Sequence, residues 1–328
     1  MAVIANSYPT LVDVASRLDP NGAIASIAEQ MAKQNPILDD IPWVEGNLPT
    51  GHRLVARTAL PSPTWRRFNQ GVDPTVSSTA PYDESCGMME AYSYIDVDLA
   101  KLNGNSMSWR ASEDAAYLEA FNQELATGVF YHSTKTDPEK FYGLAPRYAS
   151  TSGTSGSYCL KTGTVSTTGT YSIWLINWSP DRIFGIYPKG STAGLSVQDL
   201  GEQLVTDTDS KRFLAYATRY QWKCGLAVKD YRYACRMLVD SDDTSGSFSD
   251  TSKALISSIY TMFGTVYSMD GMPTLYMSRT VYNKLATQLI NAQSNLLDWA
   301  ERGGKRVRAF DGVPIRITDA LVSETAAY

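Results

Sequence analysis

The sequence predicts an α+β protein, and three observations carry that prediction. One long stretch with helical period lies in the first half, a proline-rich excursion without helical period precedes it, and alternating strand-like runs dominate from Thr170 onward. At 328 residues the chain exceeds the size at which one hydrophobic core stops growing, so two domains or one elaborated domain is expected. Apolar residues make up 43% and charged residues 19%, a balance that can fill a core.

The elements follow in order. Thr10 to Leu18 reads as a short helix with Leu11, Val14, Ala15 and Leu18 on one face. A second helix follows with Asp19 as cap and Pro20 at its first position, carrying Ile24, Ile27, Ala28 and Met31; Asn35-Pro36 ends it. From Ile37 to about Asn103 there are six prolines, many Ser and Thr residues and alternating runs such as "HRLVART". An extended hairpin fits, and an excursion this long is usually functional. "SEDAAYLEAFNQELATGVFYH", 112–132, is the clearest helix, with Ser112 as cap and Leu118, Phe121, Leu125 and Val129 as its apolar stripe.

A Gly/Ser/Thr tract from Thr151 to Gly169 marks a boundary. Beyond it, "YSIWLINW" and "RIFGIYPKG" read as a strand pair joined by the Ser-Pro-Asp turn at 179–181. "YRYACRMLV" places Tyr231, Tyr233, Cys235, Met237 and Val239 on one face and Arg232, Ala234 and Arg236 on the other. Helices are expected at about 252–263 and 279–294, the second capped by Ser278. "VRAF-DG-VPIRI" is a hairpin with an Asp311-Gly312 turn.

Motifs of catalysis and metal binding are missing from the sequence. Only His52 and His132 could serve a triad, and there is no G-x-S-x-G, no H-E-x-x-H and no C-x-x-C. His132 at the helix end suits the dipole as a cation, and His52 at a strand start suits packing. Cys86, Cys159, Cys224 and Cys235 are far apart and read as buried free thiols. "RGGKRVR" and "YPKGSTAG" lack the glycine placement of phosphate loops, and "DSDDTSGSFSD" lacks the terminal Glu of a calcium loop. No catalytic residue, cofactor site or metal site is assigned. The start of the chain has no signal-peptide pattern and no stretch is long enough to span a membrane.

A net charge of −5 argues against a general nucleic-acid binder. That bears on the densest unexplained stretch, "LPSPTWRRFNQG" at 60–71, in which two prolines stiffen a loop bearing Trp65, Arg66, Arg67 and Phe68. With nucleic acid disfavoured, these residues read as a protein contact, because Trp and Arg are enriched at interface hot spots.

Whole phrases of the chain carry a resemblance. "GHRLVARTALPSPTWRRFNQGVDPTVSSTAPYDESCGMMEAYSYIDVDLAKLNGN" before a long helix, then "FYGLAPRY", "WSPDRIFGIYPKGSTAGLSVQDLG", "YQWKCGLAVKDYRYACRMLV" and "FDGVPIRITDAL", resemble major capsid proteins of tailed bacteriophages. That family has the Hong Kong 97-like fold. The resemblance implies an N-terminal arm at 1–36 and, within 37–154, an extended loop at about 48–104 and a peripheral domain with spine helix 112–132. It further implies an axial domain at 155–300 and a C-terminal hairpin at 301–328 returning to the peripheral domain's sheet. Arg57, Trp65, Arg66, Arg67, Phe68 and Asn69 on the extended loop would then contact a neighbouring subunit, and Leu118, Phe121 and Leu125 would form the core face of the spine helix.

The implied function is self-assembly into the icosahedral head shell of a virion, as hexamers and pentamers built in the host bacterial cytoplasm around double-stranded DNA. A net-negative chain suits a lining that does not grip its cargo. Implied partners are further copies of the chain, a separate scaffolding protein, a portal protein and, as an addition, a cement protein. Some members of the family cross-link a loop lysine to a neighbour's asparagine. Here no lysine lies between Lys33 and Lys101, so a non-covalent shell is expected. Two other readings stay open: another phage structural component, such as a tail or decoration protein, and an enzyme with a site of scattered carboxylates.

Overall fold

A computed structural model describes residues 33–101, 106–152, 155–161, 169–206, 210–240, 254–293, 296–302 and 305–324. The two expected helices before Asn35, residues 153–154 and 162–168 of the Gly/Ser/Thr tract and the loop at 241–250 lie outside the described residues.

Two sheets and one long helix organise the chain. The first sheet comprises β1 (Trp43–Glu45), β2 (Gly51–Ala59), β3 (Ser78–Asp96), β6 (Ile183–Tyr187), β7 (Leu195–Thr206) and β8 (Arg212–Val228). Its order is β1-β6-β8-β3-β2, with β7 also pairing β8. The strand β3 spans both halves of this sheet: Ser78–Ser85 pair with β2, and Cys86–Asp96 pair with β8. The expected extended hairpin is therefore β2–β3, with residues 60–77 as its tip.

A short helix α1 (Ile37–Asp40) precedes β1, and α2 (Val97–Lys101) follows β3. The long helix α3 runs Ser106–Tyr131, so it starts six residues before the expected cap, Ser112. Nothing between Ser106 and Ser112 breaks a helix, and Trp109, Arg110 and Ala111 simply extend it. Phe121 and Leu125 are buried, whereas Leu118 is 46% exposed. This corrects the expected core face. Leu118 lies on the same stripe as Leu125 and Val129, but the aromatic layer of Trp174 and Tyr276 packs only against the helix's C-terminal half.

That layer belongs to the second sheet, ordered β11-β12-β13-β10-β5-β9-β4. Its strands are β4 (Cys159–Lys161), β5 (Thr170–Trp178), β9 (Ala234–Asp240), β10 (Met272–Met277), β11 (Leu297–Arg302), β12 (Lys305–Phe310) and β13 (Val313–Ile317). Period-2 alternation feeds both of its faces. Trp174, Ile176 and Trp178 meet the long helix, with Phe130 ring centroids 6.2 Å from Trp174 and 6.1 Å from Tyr276. Ile173, Leu175, Cys235, Met237 and Val239 point the other way, onto α4 (Ala254–Thr265) and α5 (Arg279–Asn291). The Ser278 side chain accepts from the Val281 N–H, as the expected cap requires. Asp311 and Gly312 both have positive φ, the turn that a two-residue hairpin prefers.

Three strand expectations are corrected. β5 and β6 share only a bridge at Ser179–Ile183 and enter different sheets. β5 is apolar on both faces, so it sits centrally between β9 and β10, where no edge remains for β6. Tyr231–Tyr233 form a 3₁₀ turn rather than the start of a strand, because Asp230 caps it by accepting from the Arg232 N–H. The C-terminal hairpin joins β10 in the second sheet, beside strands of the 155–300 segment, because Val313 and Ile315 bury against Leu275 and Met277.

Candidate subunit-contact surface

The hairpin β2–β3 is held only at its root. There Leu54 is buried with Phe184, Ile186 and Ala227, and Asn47 brackets Arg53 by accepting from its N–H at 2.6 Å and donating to its carbonyl at 2.9 Å. Arg53 forms a two-pronged pair with Asp83 across the strands, both contacts at 2.7 Å. The Tyr82 hydroxyl donates to the carbonyls of Val228 and Lys229 at 3.0 and 3.1 Å. From Val55 outward the hairpin carries no buried residue until Glu84.

Every sequence-predicted contact residue lies on this projecting part. Arg57 sits at a register shift between Arg57 and Ala59. Trp65 and Phe68 are 101% and 97% exposed. Asn69 takes a positive φ of 62° in a turn closed by the Gln70 N–H donating to the Arg67 carbonyl at 3.3 Å. Among the described residues, Arg57, Arg66 and Arg67 form no ion pair, although Arg53 on the same hairpin does. Trp65 and Phe68 likewise touch no ring. The tip thus presents two large aromatics and two free guanidinium forks on a loop stiffened by Pro61 and Pro63.

Below the hairpin runs a groove of about 1110 Å³ between Val55–Leu60 on one wall and Arg182 and Lys229–Tyr233 on the other. Its charges are largely paired: Arg232 with Asp230 at 2.7 Å, Lys229 with Asp181 at 3.5 Å and Arg182 with Asp270 at 2.7 Å.

Sequence reading missed Glu84 and Arg147. Glu84, 7% exposed at its side chain, receives both Nη atoms of Arg147 at 2.5 and 2.7 Å. The two are 63 residues apart, and no spacing pattern links them. The only available hint was an acidic residue within a strand run.

Chemistry is sparse. Among the described residues no group of three or more His, Cys, Asp or Glu side chains could hold a metal ion. Burial is the foremost cause lowering the pKa of His132, so its ring favours the neutral form rather than the cation expected at the helix end; its Nε2 lies 3.2 Å from Glu124. Burial also lowers His52, which packs edge-on to Phe184. All four cysteines are free, and burial raises the thiol of Cys86 to about 11 and that of Cys224 to about 12. Cys86 pairs with Gly225 and Gly87 with Cys224, so the two thiols leave opposite faces of the sheet and cannot bridge.

A long hairpin with an exposed aromatic and arginine tip, rooted on a sheet backed by one long helix, presents a surface suited to contact with another protein chain. Solved structures agree. A chain in the near-atomic structure of bacteriophage Epsilon15 is similar at 32% identity with a TM-score of 0.78, covering 100% of this chain and 99% of that one. The bacteriophage JBD30 capsid shares the fold, with a TM-score of 0.52 at 9% identity over 90% of this chain and 95% of that one. No curated protein matches the chain. The sequence profile of the major capsid protein GP7 family matches residues 19–327, and the chain belongs to that family. It is a shell-forming major capsid protein of the tailed-phage, Hong Kong 97-like kind, and self-assembles as a component of the virion.

Proposed function

We propose that loop 60–77 is the clamp by which each subunit grips its neighbour in the shell, with Trp65 and Phe68 as apolar anchors and Arg57, Arg66 and Arg67 pairing with carboxylates there. Asn69 sets the turn that presents them. The observation that carries this reading is that, among the described residues, the two most exposed aromatics stand beside unpaired arginines on one stiff loop. Aromatic and arginine side chains gain most when an interface desolvates them. The segment at about 48–104 then acts as the extended loop, α3 as the spine helix, and the second sheet with α4 and α5 as the axial part. Residues 1–36 act as the arm.

On this reading the protein has no catalytic role and needs no cofactor. It assembles in the host cytoplasm on a separate scaffolding protein, meets a portal protein and encloses double-stranded DNA without reading its sequence, with room for a cement protein as an optional addition. The test is negative-stain imaging of expressed wild type and of Arg66→Ala/Arg67→Ala. Wild type should form shells or capsomer rings. The double variant should stay folded and soluble but lose most particles. Normal particle yield from it would sink the clamp.

A further inference from the structure

We propose that the Glu84–Arg147 pair is a latch that sets the direction of the β2–β3 hairpin, making both of them positioning residues for subunit contact. This rests on the reading of loop 60–77 as the clamp.

The pair sits where β3 changes partners. Ser85 is the last residue paired with β2, opposite Gly51, and Cys86 is the first paired with β8, opposite Gly225. At this junction β3 is the strand whose ladder passes from hairpin to sheet, beside the root contacts of Leu54 and Tyr82, and the approach is close: a Cβ on Gly51 would lie 2.0 Å from the Glu84 carbonyl oxygen. Such a joint can bend unless something braces it.

Arg147 is the brace. It is fixed on the body side by donating to the carbonyls of Gly143 at 3.1 Å and Tyr142 at 3.0 Å, and its guanidinium lies 4.7 Å from the Tyr142 ring centroid. Its loop is in turn stitched to the end of α3, with the N–H groups of Gly143, Leu144 and Ala145 donating to His132, Val129 and Phe130. A continuous path therefore joins the most buried part of the core to the hairpin through one two-pronged pair. A fork-on-carboxylate geometry fixes angle as well as distance, which a single hydrogen bond does not.

The leverage is large. The paired strands beyond Glu84 extend about 20 Å, so a tilt of about 15° displaces their far end by about 5 Å, well outside hydrogen-bonding tolerance. The groove under Val55–Leu60 gives the hairpin space into which it can tilt. Loss of the latch should leave the core folded while the clamp misses its target.

The experiment places nitroxide labels at Gly71→Cys on the tip and Ser152→Cys across the groove in the full-length subunit. The native thiols are buried or half-buried and remain protonated. The distance distribution should be narrow in the wild-type background and at least twofold broader with Glu84→Gln, and shell yield from unlabelled Glu84→Gln should fall at least tenfold. Arg147→Lys, which keeps the charge but loses the fork, should do the same and serves if Glu84→Gln is insoluble. An unbroadened distribution overturns the latch even if yield falls, since the pair would then be merely structural. Broadening with normal yield overturns it too. Normal assembly of Arg66→Ala/Arg67→Ala would instead defeat the clamp, and the distance measurement is independent of that outcome.

Discussion

Replacing Asp40 by alanine tests how the start of the described chain is welded to its end. Asp40 on α1 is buried and receives Nε and Nη2 of Arg316 from β13 at 3.0 and 2.8 Å. It also accepts from the Tyr276 hydroxyl at 2.8 Å, and that hydroxyl accepts from the Trp178 indole N–H at 2.9 Å. Asp40→Ala strands a guanidinium whose side chain is only 14% exposed. Breaking one side of a buried pair costs about 3–5 kcal/mol, and the residual exposure of Arg316 favours the lower end. Tyr276→Phe removes two hydrogen bonds and leaves the Trp178 N–H unpaired, for about 1–3 kcal/mol. Because the two substitutions share partners, the double variant should cost less than the sum of the single ones. Denaturant unfolding of the unassembled subunit at neutral pH, followed by tryptophan fluorescence, measures all three. A loss below about 1 kcal/mol for Asp40→Ala, with unchanged denaturant slope, would refute the view that this network is desolvated.

Phe121→Ala should cost about 3–5 kcal/mol and deplete soluble protein, while Leu118→Ala should fall within about 0.5 kcal/mol of wild type. Equal costs in thermal unfolding would show that these two positions along the stripe are not differently packed. In the native subunit at pH 8, Cys86 and Cys224 should resist iodoacetamide, because burial holds their pKa values near 11 and 12 and keeps them as thiols; mass spectrometry should show rapid labelling only after denaturation. Particles boiled in detergent and reductant should give one band near 36.1 kDa, since the hairpin carries arginines and no lysine. A covalent ladder would contradict that.

Much of this protein was legible in the residues. The long non-helical excursion, the helix ending near Tyr131, the cap at Ser278 and the Asp311-Gly312 turn are written in local chemistry: proline content, apolar period, a hydroxyl before a helix, a residue pair that tolerates positive φ. The exposed tip was legible for the same reason, since prolines and arginines cannot fill a core. What local chemistry does not encode is which layer covers which stripe. Leu118 has the sequence environment of Leu125, yet the aromatic face of β5 and β10 ends before reaching it. β5 and β6 adjoin a turn like a hairpin, yet two-sided apolarity drew β5 into the middle of another sheet. Glu84 and Arg147 meet only because β3 crosses from one partner to the next beside the loop that follows α3. Period, caps and turns act over a few residues, so the sequence determined them by itself. Layer order and long-range ion pairs depend on how whole surfaces compete for burial, and only the tertiary structure decided those.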